Sequence, residues 1–471
     1  MLFNSLGFIV FLVIVLALYY SKILGWNGKK IMLLLASYIF YGLWNPPLVI
    51  LLWISTMVDW TAGNKLAVLE DERKRKFWLI LSMLVNLGFL AFFKYGNFLL
   101  ENFVILTGFV GMNYKPEPMD IILPMGISFY TFQTMSYTID MYYKKIKPAR
   151  TFLDFALYVT FFPQLVAGPI VRASELISQF YEPKKATVNQ FLWGCFLLTV
   201  GLFQKVVMAD TLLSETSDKV FGAEKLLNSL DAWTGTLAFS GQIFFDFAGY
   251  STCAIGIALM LGIILPDNFR YPFAAIGFSD LWRRWHISLS TWLRDYLYIP
   301  LGGNRHGIIR LYVALILTML LGGLWHGAAW TFVVWGALHG FFLVTERMLK
   351  GRFLIKPNEF TGILLALLTY FCVNITWVFF RAKDFLTAKN MIISMFLIER
   401  DGEKVLQYFD IYKVLIVISL LFISHWFMRN TSMKEVAGIT PPWILGLFWA
   451  AMIFLIVIAQ GSGDQFIYFQ F

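Results

Sequence analysis

Long apolar runs separated by short basic loops set the pattern of this chain. A run of about 20 mostly apolar residues is long enough to cross a bilayer as a helix. The pattern predicts spans over 3–20, 31–43, 46–61, 77–93, 97–112, 152–170, 188–209, 233–263, 311–346, 361–380, 411–428 and 441–460. The runs are longer than barrel strands and lack their in–out alternation, so helices are expected. The second and third read as a hairpin broken at Trp44-Asn45-Pro46-Pro47, because paired prolines stop a helix. The 233–263 and 311–346 runs exceed one simple span. The latter holds Gly322-Gly323 and two histidines, and reads as two helices or a kinked pair.

Two stretches are too polar to span and too apolar for free loops. One is 119–143, with Pro124, Gly126, Ser128, Gln133 and Asp140. The other is 278–305, where tryptophans and arginines alternate. Irregular backbone at membrane depth survives only when buried in protein or lining a cavity. Both therefore read as re-entrant or interfacial elements around a central chamber. No repeat and no soluble domain interrupts the pattern, so residues 1–471 read as a single transmembrane domain, all-α and polytopic, with roughly 11–13 spans.

Composition sharpens this. The chain is 59% hydrophobic and 14% charged, against about 25% charged in soluble domains, so lipid is its solvent. The net charge of +9 would suit nucleic acid, but its distribution does not. Basic residues gather in short loops: Lys22, Lys29 and Lys30; Arg73 to Lys76; Lys144, Lys145, Lys147 and Arg150. That is the positive-inside pattern, which puts the Lys22–Lys30 loop in the cytoplasm and the N-terminus outside. The first run has no basic n-region and no small-residue cleavage site, so it is expected to be a retained span. Cys195, Cys253 and Cys372 sit in apolar runs as small buried hydrophobes. No CxxC or His/Cys cluster suggests a metal site.

Candidate chemistry centres on histidine. Ionisable groups are costly inside membrane segments and face the interior or a cavity. His326 lies in Gly322-Gly323-Leu324-Trp325-His326-Gly327-Ala328-Ala329-Trp330, where small residues let a slim substrate approach. Trp330, at i+4, is expected to share its face. A neutral imidazole shielded from water is a usable base near pH 7, although a hydrogen-bonded packing role is an equal alternative from this pattern alone. His339, thirteen residues on, falls on another face and reads more simply as a packing residue.

The densest polar constellation is Asp280-Leu281-Trp282-Arg283-Arg284-Trp285-His286-Ile287-Ser288-Leu289-Ser290-Thr291-Trp292-Leu293-Arg294-Asp295-Tyr296. As one helix it would align Arg283, His286 and Ser290. Such arginines pair phosphates of a nucleotide-containing donor, or anchor an interfacial helix by snorkelling. Asp59 and Asp246, isolated in apolar surroundings, read as members of buried ion pairs. The 463–471 tail is short and aromatic. It suits an interfacial anchor, or a phenol nucleophile at Tyr468.

Taken together, Trp282 to Tyr296, Gly322-Gly323-Leu324-Trp325-His326-Gly327, Phe245-Asp246-Phe247-Ala248-Gly249-Tyr250, Leu165-Val166-Ala167-Gly168-Pro169-Ile170 and Phe466-Ile467-Tyr468-Phe469-Gln470-Phe471 resemble the membrane-bound O-acyltransferase superfamily. They fall in its bacterial branch, which acylates alginate, peptidoglycan and teichoic acid. The resemblance covers nearly the whole chain, and it rests most heavily on the two motifs that place His286 and His326 forty residues apart.

The resemblance implies a ring of helices around a thin centre crossed by a tunnel. It implies His326 as the catalytic base and His286 as the second histidine, positioning the donor or stabilising the oxyanion. Arg283, Arg284, Trp285, Ser290 and Arg294 would lie on the donor side. The donor would be cytoplasmic acetyl-CoA, favoured over a D-alanyl carrier because the FxYxxF tail lies on this same chain. The acceptor would be Tyr468, or a serine on an exported SGNH-hydrolase-like partner that passes the acetyl group to a polysaccharide. An alginate-type exopolysaccharide is favoured over peptidoglycan, cellulose or teichoic acid. The implied location is the bacterial inner membrane, with no metal and no nucleic acid. A secondary transporter with His326 as proton relay, or a secretion scaffold, are readings from other classes; the former is weakened by the lack of repeated halves.

Overall fold

A computed structural model describes residues 1–112, 114, 116–350, 358–396, 402–459 and 466. Among the described residues all named elements are helices, beside one isolated bridge between Leu227 and Glu403. The protein is an all-α polytopic membrane protein. Eight of the described helices are long and apolar enough to cross a membrane, fewer than the twelve runs read from hydropathy. The chain divides into two compact units, 1–195 with 254–266, and 196–253 with 267–471.

The first unit holds α1 (Leu6–Tyr20), α2 (Trp26–Gly42), α3 (Val49–Val68), α4 (Glu72–Phe93), α5 (Gly96–Phe109), α6 (Ile127–Tyr142) and α7 (Phe152–Thr160). The proline pair acts as expected: α2 ends at Gly42, Pro46–Leu48 make one 3₁₀ turn, and α3 starts at Val49. The 119–143 stretch departs from expectation. Only its first part is irregular, and Ile127–Tyr142 is a regular helix buried at every position except Ile139 and Tyr142. Gly126 starts it with φ +72, a left-handed turn where a Cβ would meet the Leu165 carbonyl at 2.8 Å. Burial in protein lets a polar helix stand there. Gln133 donates to the Tyr158 carbonyl at 2.7 Å, and Ser136 donates to its own helix backbone. The expected 152–170 span is likewise corrected. Its helix stops at Thr160, and Phe161–Val171 continue as buried turns.

Asp59 also differs from its expected ion pair. It is fully buried among neutral donors: Ser82 and Thr138 reach Oδ1, and Asn86 reaches Oδ2 at 2.9 Å. Four helical positions thus bind α3, α4 and α6 through hydrogen bonds rather than through a cation.

The second unit begins within α8 (Val188–Leu202), which continues as a π-helical stretch, Phe203–Ser214. It includes much of α9 (Ser229–Met260), then α10 (Ile287–Leu293), α11 (Ile308–His326), α12 (Trp330–Lys350), α13 (Glu359–Arg381), α14 (Tyr408–Met428) and α15 (Pro442–Ala459). The long 233–263 run is one helix of 32 residues, about 48 Å at 1.5 Å per residue. That exceeds a hydrocarbon core of about 30 Å. Most of its apolar window is buried in protein, so its length need not match a lipid layer. The 311–346 run is two helices, α11 and α12, as expected, but Gly322-Gly323 lie inside α11 and the break falls at Gly327.

Candidate active site

The break between α11 and α12 creates the site. α11 ends on His326; Gly327 turns extended, and α12 begins three residues later at Trp330. A side chain on Gly327 would strike the Phe332 ring, so the turn requires glycine. The two helices cross in close contact. A Cβ on Gly323 would collide with the Phe332 carbonyl, and one on Gly336 with the Met319 carbonyl. Small residues at such crossings let membrane helices approach backbone to backbone. His326 is thereby fixed at a helix end, almost fully buried. The break also removes Trp330 from the expected face of His326: it opens the next helix and is exposed.

Aromatic rings enclose the imidazole. Trp325, Trp335 and Phe380 lie 5.0, 5.1 and 5.3 Å from His326 between ring centroids, all edge-on. The His286 ring stands 6.3 Å away, so the two histidines read from sequence come together. They come from different local structures. The 280–296 segment is not one helix: a short turn over Phe278–Leu281 gives way to a loop, and α10 starts only at Ile287. His286 is the residue before α10, at φ 44 and ψ 55, a left-handed conformation that is uncommon without glycine. Arg283, His286 and Ser290 therefore do not form the expected helical stripe, because only Ser290 lies on a helix and the left-handed turn at His286 separates it from Arg283.

Backbone pairing to residues 268–270 holds that turn. Ile287 N–H donates to the Asn268 carbonyl at 2.9 Å, and Arg270 N–H donates to the Arg284 carbonyl at 2.9 Å. The Asn268 side chain completes it. Its Oδ1 lies 3.2 Å from His286 Nδ1, 3.2 Å from the Ser288 N–H and 2.9 Å from Ser288 Oγ. His286 is fully buried, edge-on to Phe247 at 4.6 Å. It lies outside the spanning helices, and burial pushes its pKa down to about 3, so the ring is neutral at pH 7.

The residues expected on the donor side are placed variously. Arg283 is exposed. Arg284 is tied to Asp280 at 3.0 Å and to the Arg429 carbonyl, while Arg429 closes on Asp280 at 2.7 Å. Arg294 pairs with its neighbour Asp295 at 2.6 Å. Trp285 is buried against Phe269, Phe273 and Trp377. Ser290 donates to the Trp285 carbonyl. His339 packs on Trp335 and contacts Thr376, apart from the histidine pair.

Two further sequence motifs are placed in the same unit. Asp246 forms the expected ion pair, with Lys205 at 2.6 Å, and Lys205 also reaches Asp210 at 2.9 Å. The π-helical stretch, which closes bonds from i to i+5, stacks Lys205 over Asp210 five residues on. The tail contributes Phe466, buried 5.0 Å from Tyr250 and 6.0 Å from Phe247, and Phe247 itself touches His286. Tyr468 lies outside the described residues. Sequence reading missed Asn268, Trp335 and Phe380, since neither spacing nor charge marks them. Among the described residues no group of three or more His, Cys, Asp or Glu gathers as metal ligands would.

The model of the MBOAT, membrane-bound O-acyltransferase family, matches residues 143–383, which include both histidines. A probable alginate O-acetylase, AlgI, of Pseudomonas putida is 38% identical over 100% of both chains. A peptidoglycan O-acetyltransferase of Helicobacter pylori is 39% identical over 78% of this chain and 73% of its own. A teichoic acid D-alanyltransferase of Bacillus subtilis is 26% identical over 57% of this chain and 71% of its own.

Proposed function

The chain belongs to the membrane-bound O-acyltransferase family and is an O-acyltransferase, and from that premise we propose that it moves an acetyl group from cytoplasmic acetyl-CoA to an acceptor hydroxyl for O-acetylation of an extracytoplasmic polysaccharide. The observation that carries this reading is the pair His326 and His286, 6.3 Å apart and enclosed by aromatic rings at a helix break. His326 takes the proton of the acceptor hydroxyl. The freed oxygen attacks the thioester carbonyl, the carbon–sulfur bond breaks, and the thiolate recovers the proton from His326 as free thiol. Enclosure strengthens every polar contact made to the reacting atoms and keeps water from competing. A thioester already carries a good leaving group, so a base and correct positioning are what the protein adds.

His286 belongs to the donor side, and the exposed Arg283 and Arg294 are the cations that would meet the nucleotide phosphates. Docking of Phe466 beside Phe247 supports a tail that reaches toward the histidines, with Tyr468 as first acceptor. The acetyl group then passes to an exported SGNH-hydrolase-like partner and on to the polysaccharide. An alginate-type substrate is favoured by the relative whose likeness spans both whole chains. The membrane is the bacterial inner membrane. The reading is tested by transfer from labelled acetyl-CoA in purified wild-type, His326→Ala and Tyr468→Phe protein. Full activity in Tyr468→Phe removes the tail from the acceptor role.

A further inference from the structure

The hydrogen bonds around Asn268 decide which nitrogen of His286 carries its proton. Asn268 is buried, and its amide orientation is fixed from both ends. Its Oδ1 receives the backbone N–H of Ser288, a group that can only donate. Its Nδ2 donates to Ser251 Oγ at 3.0 Å. The atom that faces His286 Nδ1 at 3.2 Å is therefore the acceptor oxygen. A neutral imidazole meeting an acceptor at Nδ1 must carry its hydrogen there, and its other nitrogen then holds a lone pair.

We propose that Asn268 is a positioning residue that holds His286 as the Nδ1–H tautomer, so that Nε2 is offered to the substrate as a hydrogen-bond acceptor. The proposal deepens the acyl-transfer reading and rests on it for the word substrate. It narrows the part His286 can play. A neutral His286 in this tautomer cannot donate to the oxyanion through Nε2. It accepts instead, from an amide N–H of the donor's pantetheine arm or from the thiol that leaves. Oxyanion stabilisation must then come from other donors.

Two other buried histidines take the opposite tautomer. His425 Nδ1 accepts the Phe273 N–H at 3.2 Å, which leaves its hydrogen on Nε2. His339 Nε2 faces Thr376 Oγ1, whose own hydrogen goes to the Val373 carbonyl at 2.7 Å, so Nε2 donates. The left-handed backbone at His286 and the two backbone bonds that clamp residues 268–270 against 284–287 hold the ring to Asn268.

The test is ¹⁵N NMR of protein labelled at its five histidines, assigned by single substitution, without substrate. Couplings to the ring carbon protons tell which nitrogen is bare. The expected result is a bare Nε2 on His286 in wild type and in Asn268→Asp, where a carboxylate oxygen still accepts and Ser251 can turn to donate. Asn268→Leu should give a mixed or switched tautomer and about a tenfold or greater loss in kcat with little change in KM. A bare Nδ1 in wild type, or an unchanged tautomer in Asn268→Leu, overturns the proposal. If Asn268→Leu does not fold, wild type and Asn268→Asp still decide. A bare Nε2 together with acetyl transfer indifferent to His286→Gln supports the assignment of Asn268 and overturns the donor-side role of His286.

Discussion

Lys205 stands between two carboxylates inside the second unit, 2.6 Å from Asp246 and 2.9 Å from Asp210. Removing a buried cation leaves charges that neither water nor a partner compensates, a loss of about 3–5 kcal/mol. Lys205→Met should therefore lower the unfolding midpoint in detergent, and Lys205→Met with Asp246→Leu should recover part of the loss; no recovery would mean the pair is not coupled. At this scale the sequence was legible where chemistry is costly. His326, His286 and Asp246 stood out because lipid penalises ionisable groups, and the fold brings the two histidines together and pairs Asp246. Partners were not legible. Arg284, read as a phosphate ligand or an interfacial anchor, is tied to Asp280 and the Arg429 carbonyl, and nothing in the pattern marked Asn268, eighteen residues before His286. Asp59 looked like half of an ion pair, whereas hydroxyls and an amide do that work.

At the level of elements, α11 and α12 matter most, since their crossing sets where His326 ends. Gly323→Val would press on the Phe332 carbonyl three residues before His326. Overpacking of this kind costs about 1–3 kcal/mol, and the displaced imidazole should lower acetyl transfer as well. Gly446→Ala in α15 meets nothing within 4 Å and is the control; equal thermal stability and equal activity in the two variants would dismiss the crossing as the determinant. Hydropathy read the break at Pro46-Pro47 correctly because paired prolines act locally, and it read two helices in 311–346 but looked to Gly322-Gly323, whereas the break falls at Gly327. It failed over 119–143 and 280–296 because burial by neighbours, not local pattern, decided those conformations. A polar segment enclosed in protein became a helix, and a motif expected as one helix became a left-handed turn.

On the scale of the whole molecule, the basic loops expected to orient the chain also tie helices together. Within the first unit Arg75 donates to carbonyls at the ends of both α3 and α6, among them Leu66, Leu69 and Tyr142, where a cation offsets the helix dipoles. Lys30, near the start of α2, reaches Asp154 in the first turn of α7 at 2.6 Å. These ties agree with a common cytoplasmic side for the Lys22–Lys30, Arg73–Lys76 and Lys144–Arg150 loops. In a background without native cysteines, Lys22→Cys and Lys144→Cys should resist an impermeant maleimide in spheroplasts and react after lysis, while Leu43→Cys reacts in both; labelling of Lys22→Cys in spheroplasts would reverse the orientation. The second unit buries His326 at the break between α11 and α12, and the acyl-transfer role proposed for it is open to one decisive measurement. The initial rate of label transfer from acetyl-CoA by purified His326→Ala protein, set against wild type at equal folded concentration, should fall by at least about a hundredfold. A rate near that of wild type would contradict the assignment of His326 as the base.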